Sequence, residues 1–298
     1  MMQPKPPSSF FGPVEKKRRN VTGYPNYGIP KEDKKEWKLQ QETEQAYINQ
    51  TKIKEDNFGT SSNDLILKIR SCHKDLIKES KLPRLSTNAE NILASNHRYF
   101  FSAEGNLKSV IPDGKSLYIT SCFSKEGKTT AAISLAYTLS IFSNRKVLLV
   151  DAHFSSPIIY RLFNVKEGIS FRRVLSDTSL LVEGILPTFY ENLYILPSMS
   201  AKNDTAGVNS TLVYNFLQKV SPFFDYILFD GRSILSAPEP VIFASSVDAV
   251  IFVVESERTK WEVLQSAVEK VVKIKARVAG VVLNKRKFYI PPAVYKIL

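Results

Sequence analysis

The sequence predicts an α/β fold, a mostly parallel sheet with helices on both faces, and three observations predict it. From Lys115 onward, short apolar runs rich in β-branched residues alternate with stretches of helical spacing. Several of those runs end in a polar residue able to do chemistry: Ser121, Asp151, Asp230 and Asn284. Ligands on parallel sheets bind at the carboxyl ends of strands, where all four fall. The first run is followed by Gly127-Lys128-Thr129, which opens a helical stretch.

Taken in chain order, residues 1–62 are polar, dotted with proline and poor in β-branched apolar residues. Such a segment buries too little apolar surface to offset its ordering entropy, so a largely disordered tail is expected. It carries the basic run Lys16-Lys17-Arg18-Arg19. Residues 63–114 read as a helical extension. Leu65, Ile66, Ile69, Leu76 and Ile77 recur at helical spacing behind a cap at Asn63 or Asp64, predicting a helix to Lys81 that Pro83 stops. Asn88 to Ala103 reads as a second helix packed on the main domain.

Residues 115–298 form that domain. Ser116–Thr120 is short, β-branched and aromatic, as a buried strand should be, and Ala131–Ser143 has helical spacing. Lys146–Val150 is a buried strand ending at Asp151, and Asn192–Leu196 a short one. Asn209–Val220 is helical, and Asp225–Phe229 is a strand ending at Asp230. Pro240–Ser246 and Lys260–Lys273 are helices around the strand Ala249–Val254, and Arg277–Leu283 is a last strand ending at Asn284. Alternation of this kind builds a parallel sheet through right-handed crossovers.

Composition bounds the function without choosing it. With 298 residues and 43% hydrophobic content the chain can bury a full core. No apolar run reaches the roughly 20 residues that span a bilayer, and Met1–Gly12 lacks a signal-peptide core, so a cytoplasmic protein is expected. Two cysteines, Cys72 and Cys122, give neither a disulfide framework nor a metal cluster. The net charge of +12 calls for an anionic neighbour, whether nucleotide, nucleic acid, anionic lipid or an acidic protein face. A second basic run, Lys285-Arg286-Lys287, lies at the end of the last strand.

The chemistry concentrates at Ser121–Thr130. A strand, a tight turn and a helix N-terminus aim backbone N–H groups at phosphate oxygens, so Ser124, Lys125, Glu126, Gly127, Lys128, Thr129 and Thr130 read as a phosphate-binding loop. Lys128 would reach the outer phosphates and Thr129 would offer its hydroxyl to Mg²⁺. The full pattern is G-x-x-x-x-G-K-[ST], and its leading glycine is Cys122 here; the strand before and the helix after favour the loop over a chance match. Asp230 would hold Mg²⁺, and Asp151 would bind the metal or take a proton from an attacking hydroxyl. The plainer role for each aspartate is to cap the next helix.

On these residues the chain resembles the bacterial tyrosine kinases of capsule and exopolysaccharide synthesis, the CpsD/CapB-like branch of the MinD/ParA superfamily of P-loop ATPases. The resemblance runs from about Leu85 to Leu298. Thr120-Ser-Cys-Phe-Ser-Lys-Glu-Gly-Lys-Thr129 is similar to the family's T-S-x-x-P-G-E-G-K-[ST], and Leu148 to Pro157 to its Walker A′ motif L-L-I-D-x-D-x-R-x-P. Phe224 to Asp230 is similar to its Walker B strand, and Val247–Val254 and Gly280–Asn284 to its later strands. The resemblance implies ATP and Mg²⁺ as cofactors and an ATP-dependent tyrosine autokinase, with Lys128, Asp151 and Asp230 catalytic and Thr129, Asp151 and Asp230 around the metal. Asn284 would contact the adenine edge. It further implies a membrane chain-length partner of the polysaccharide co-polymerase type, which recruits the kinase to the inner face of the membrane.

Departures accompany the matches. His153 stands at the second acidic position of Walker A′, Ser155 at the following arginine and Ser233 at a proline after Walker B. Imidazole is a poorer Mg²⁺ ligand than carboxylate, so at least one metal or catalytic contact of the family is missing or altered. His153 reads as a polar replacement rather than a substitute base, because nothing nearby in sequence would orient it. The self-association motif E-x-x-R-x-x-R survives only as Glu90 to Asn96, which puts ring formation in question while leaving self-association possible. Tyr289 and Tyr295 are the tyrosines of the last ten residues, either acceptors or a packing pair. Phe123 occupies the position of the MinD/ParA signature lysine, with Lys125 two places on, so a partition ATPase is disfavoured and no nucleic acid is expected. Asn284-Lys-Arg-Lys287 lacks the aspartate of a guanine-recognition motif, which favours ATP over GTP. A degenerate scaffold that binds nucleotide without transferring phosphate, and a ParA-like ATPase that moves cargo on DNA or membrane through its basic surface, are the competing expectations.

Overall fold

The computed structural model describes residues 64–199 and 207–286. The expected tail, Asn63, Lys287, Tyr289 and Tyr295 lie outside the described residues. Seven strands, β1 (Ser116–Thr120), β2 (Val147–Asp151), β3 (Leu186–Pro187), β4 (Leu193–Leu196), β5 (Tyr226–Asp230), β6 (Ala249–Glu255) and β7 (Val278–Asn284), form one sheet in the order β3-β4-β2-β5-β1-β6-β7. All neighbours are parallel except β3 against β4. The chain runs outward from β1 to β2 and later returns to add β6 on the other side of β1. That reversal opens a crevice at the carboxyl end of β1.

The central strands feed both faces. Leu117, Ile119, Val147, Leu149, Leu228 and Ile251 join one apolar core; Tyr118, Leu148, Val150, Ile227, Phe229 and Phe252 join the other. The first core is sealed by α5 (Lys128–Tyr137), the second by α9 (Ser210–Val220), α10 (Glu239–Ser246) and α11 (Trp261–Lys273). Covering both faces explains why these strands read as continuous apolar runs rather than alternating ones.

Element boundaries differ from the sequence reading where tertiary packing overrides periodicity. The first extension helix divides at His73 (φ −102°, ψ 25°) into α1 (Leu65–Cys72) and α2 (Lys74–Lys78). Asp64 is its cap, accepting from the Ile66 N–H at 2.9 Å. The second becomes α3 (Thr87–Asn96), a 3₁₀ turn at His97–Phe100 and α4 (Ala103–Val110). There His97 stacks on Phe142 at 5.1 Å while Phe101 meets both rings edge-on, and this aromatic trio bends the chain. The helix expected at Ala131 begins three residues earlier, at Lys128, and continues as a π turn over Thr138–Phe142. The short elements α6 (Ile159–Leu162), α7 (Phe171–Ser176), α8 (Leu181–Gly184) and β3 escaped the sequence reading because each is too short to show a period.

Within the remnant of the self-association motif, Glu90 is used inside the chain. It accepts from Arg84 Nε at 2.7 Å and from the Tyr190 hydroxyl at 2.5 Å, tying α3 to the loop before β4. No helix among the described residues is long and apolar enough to cross a membrane.

Candidate nucleotide site

β1 delivers the loop, and Gly127 turns it into α5 in the left-handed region at φ 97°. A Cβ there would stand 2.0 Å from Asn284 Nδ2, so both backbone and space demand glycine. Lys125 also lies in the left-handed region, at φ 67°. The backbone N–H groups from Ser124 to Thr129 hydrogen-bond to no described residue, which leaves a row of donors at the start of a helix.

A set of side chains holds that row open. Glu126 is fully buried and accepts from the Phe123 N–H at 2.6 Å, the Glu255 N–H at 3.3 Å and the Thr259 hydroxyl. Its carboxylate is therefore a strut of the loop, and only its main chain is available to a phosphate. Lys285 Nζ donates to the Lys125 carbonyl at 2.7 Å and to Glu255 Oε2 at 2.9 Å, and Arg258 Nη1 donates to the Ser124 carbonyl at 3.3 Å. Asn284, expected at the adenine edge, is engaged at both ends. Its Nδ2 donates to the Glu126 carbonyl at 2.9 Å and its Oδ1 accepts from the Lys285 N–H at 2.8 Å. Sequence reading missed Glu255, Arg258, Thr259 and the strapping role of Lys285, because no motif links β6 and β7 to a loop more than 120 residues earlier.

Asp151 and Asp230 are register partners at the ends of β2 and β5, so the structure brings the two carboxylates side by side. Their environments differ. Asp151 is buried, with Oδ1 accepting from the His153 N–H at 3.1 Å and Oδ2 from the Ile158 and Ile159 N–H groups at 3.0 Å each. Burial pushes it up to about 6 against those three donors. Capping of the following turn, the plainer role, is thus present in Asp151. Asp230 is buried too, but neither carboxylate oxygen has a hydrogen-bond partner. Burial pushes it up to about 7, the Asp151 charge adds to the rise, and Thr129 and Lys128 pull the other way without completing a hydrogen bond.

Lys128 is buried as well. Burial draws its ammonium below the usual lysine range, while Asp230 and Glu126 hold it up. An unpartnered buried carboxylate beside a hydroxyl and an ammonium is a costly arrangement unless a cation joins it. No cluster of three His, Cys, Asp or Glu among the described residues could hold a metal unaided. Mg²⁺ fits such a place because it takes one or two protein oxygens and completes its shell with phosphate and water.

His153 is not left unoriented, contrary to the sequence reading. Its Nδ1 lies 2.8 Å from the Ser156 carbonyl, which accepts only, so the ring presents Nε2 elsewhere. Burial lowers its pKa, the Ser156 carbonyl opposes that, and the charges of Lys128 and Arg232 lower it further. Arg232 follows Gly231, whose backbone lies against Tyr118 so tightly that a Cβ would stand 2.1 Å from the ring. No earlier signal marked Arg232; Gly231 beside an aromatic strand residue was the available hint.

Comparisons with known proteins agree with this geometry. A family model described as an AAA domain matches residues 124–284, more than half of the chain. The tyrosine-protein kinase CpsD of Streptococcus pneumoniae is 30% identical over 173 residues, covering 57% of this chain and 76% of that protein. The succinoglycan biosynthesis transport protein ExoP of Rhizobium meliloti is 25% identical over 58% of this chain but only 22% of its own length. Among solved structures, the VpsO kinase domain superposes with a TM-score of 0.55 at 24% identity, over 67% of this chain and 97% of that domain.

Proposed function

Because this chain belongs to the CpsD-like family of bacterial tyrosine kinases, within the MinD/ParA type of P-loop ATPases, we propose that it binds ATP with Mg²⁺ and transfers the terminal phosphate to tyrosine in exopolysaccharide or capsule synthesis. The observation that carries the reading is the buried, unpartnered Asp230 carboxylate facing Thr129 and Lys128 beside an open row of amides. The amides from Ser124 to Thr129 bind and orient the phosphates, and Lys128 neutralises the outer ones. Thr129 and Asp230 would hold Mg²⁺, with Asp151 next to them. When bound, the ion would neutralise charge on the phosphates. Asp151, raised to about 6 by burial, accepts the proton of the attacking tyrosine hydroxyl. Asn284 and Lys285 keep the loop in shape, and Asn284 still has one N–H and one oxygen lone pair for adenine.

The partner is a membrane protein that controls polymer length and brings the kinase to the inner face of the membrane. The likeness to part of ExoP, a succinoglycan biosynthesis transport protein, supports the polysaccharide setting of this reading. A second reading, a nucleotide-binding scaffold without transfer, is favoured by two observations: Asp151 has both oxygens engaged by backbone N–H groups, and imidazole stands at position 153. Incubation of the full chain with radiolabelled ATP and Mg²⁺, with the cytoplasmic segment of the chain-length protein present, separates them. Alkali-stable label on tyrosine is the expected result; binding without label assigns the scaffold instead.

A further inference from the structure

Asp151 and Asp230 end neighbouring strands at one level, and each is followed two residues later by a side chain of the same pocket, His153 and Arg232. β5 pairs with β1 on one side and with β2 on the other, so the residues that follow all three strands stand together at one carboxyl edge of the sheet. Arg232 is rigidly mounted there. Its N–H donates to the Tyr118 hydroxyl at 3.1 Å, its carbonyl accepts from the Thr120 hydroxyl at 2.7 Å, and the preceding Gly231 N–H donates to the Ile119 carbonyl at 3.0 Å. The backbone is pinned on both sides while the side chain is not. Its guanidinium makes one ion pair among the described residues, with Glu239 at 3.7 Å, too long for a hydrogen bond. Glu239 Oε2 has no hydrogen-bond partner of its own although it is buried.

Lys128, in the loop after β1, and Arg232, just after the neighbouring β5, therefore bring two cations to the same edge of the sheet, and neither ammonium nor guanidinium finds a hydrogen-bond acceptor among the described residues. An anion with several oxygens satisfies both. A guanidinium suits this better than a second ammonium because its planar fork binds two phosphate oxygens at once.

We propose that Arg232 is a catalytic residue that leaves Glu239 and grips the terminal phosphate of ATP from within the same chain, so that the site distinguishes a triphosphate from a diphosphate. The proposal rests on the nucleotide reading of the Gly127 loop. Arg232 acts while the bond between the γ-phosphorus and the bridging oxygen of ADP breaks and a new bond forms to the acceptor hydroxyl, whose proton passes to Asp151. Charge spreads over the three outer oxygens at that moment, and a fixed guanidinium stabilises it without reorganising. Ser155, exposed at the place where the family motif carries arginine, leaves the β2 side of the pocket without such a cation.

The test is calorimetric titration of the full chain with Mg²⁺ and either the β,γ-imido analogue of ATP or ADP. Arg232→Ala should lower the ratio of analogue to ADP affinity roughly tenfold to a hundredfold, with ADP affinity itself little changed. Arg232→Lys should recover part of the ratio, and Glu239→Gln, which releases the guanidinium, should keep or raise it. Equal loss of both nucleotides in Arg232→Ala, or a Glu239→Gln variant that behaves like it, would show a purely structural ion pair and overturn the proposal. Should Arg232→Ala fail to fold, Arg232→Lys and Glu239→Gln carry the same contrast. Lys128→Ala separates the two levels of the argument: undiminished binding of both nucleotides there removes the nucleotide reading itself, whereas an unchanged ratio in Arg232→Ala removes only the role of Arg232.

Discussion

Replacing Lys128 with alanine is expected to lower affinity for Mg·ATP by about a hundredfold or more, and to remove tyrosine label, while leaving the fold at least as stable as before. The two halves of this result have one cause. Lys128 is buried, and burial already draws its pKa down against the attraction of Asp230 and Glu126. The protein therefore bears a cost to keep the ammonium where it is, and without nucleotide nothing hydrogen-bonds to it among the described residues. Removing it relieves that cost and leaves a short void lined by the loop. A residue kept for stability would behave in the opposite way, with melting temperature falling and binding following it. Nucleotide titration and thermal melting of the same preparations decide between the two.

Asp230→Asn should remove most of the pH dependence of stability. In the folded chain Asp230 titrates at about 7, far above its ordinary value of 3.8, chiefly through burial and secondly through Asp151. From about pH 4 to pH 7 the folded state keeps a proton that the unfolded chain has released, so stability falls as pH rises through this window and is flat above it. A shift of this size corresponds to at most about 4 kcal/mol, and Asp151, at about 6, adds in the same direction. The nucleotide-free protein should thus melt at a higher temperature at pH 5 than at pH 8, and Asp230→Asn should remove most of the difference. Mg·ATP should raise the melting temperature of the wild type most at pH 8, where the carboxylate is ionised, and should do so far less in Asp230→Asn. A wild-type protein whose melting temperature ignores pH over this range would show that Asp230 is partnered after all.

Much of this fold was written in local pattern. The strands β1, β2, β5 and β6 are buried on both faces, so their apolar runs stand out without any helical period to compete. The helices of α9 and α11 carry one apolar stripe each and were equally plain. What failed was governed by distant partners. His73 breaks a periodic stretch, and the aromatic trio of His97, Phe101 and Phe142 joins residues more than 40 positions apart.

The site divides along the same line. Gly127, Lys128, Thr129 and the strand-end aspartates follow from spacing, because a phosphate cradle needs a fixed local geometry. The division of labour between two similar aspartates does not. Asp151 and Asp230 look alike in sequence, yet one caps a turn and the other is orphaned, and only the packing after β2 and β5 separates them. The carboxylate of Glu126 is a strut that Thr259 and Glu255 hold, a role that depends on β6 and leaves no mark in the loop's own sequence. His153 was read as unoriented because the Ser156 carbonyl that orients it is a backbone group, which leaves no trace in residue identity.

The most direct measurement is the crystal structure of the full chain with Mg²⁺ and a non-hydrolysable ATP analogue. The account predicts the β- and γ-phosphates against the amides of Ser124 to Thr129 and the Lys128 ammonium, with the metal bound between the Thr129 hydroxyl and Asp230. An analogue seated elsewhere, or a metal that bypasses Asp230, would contradict it.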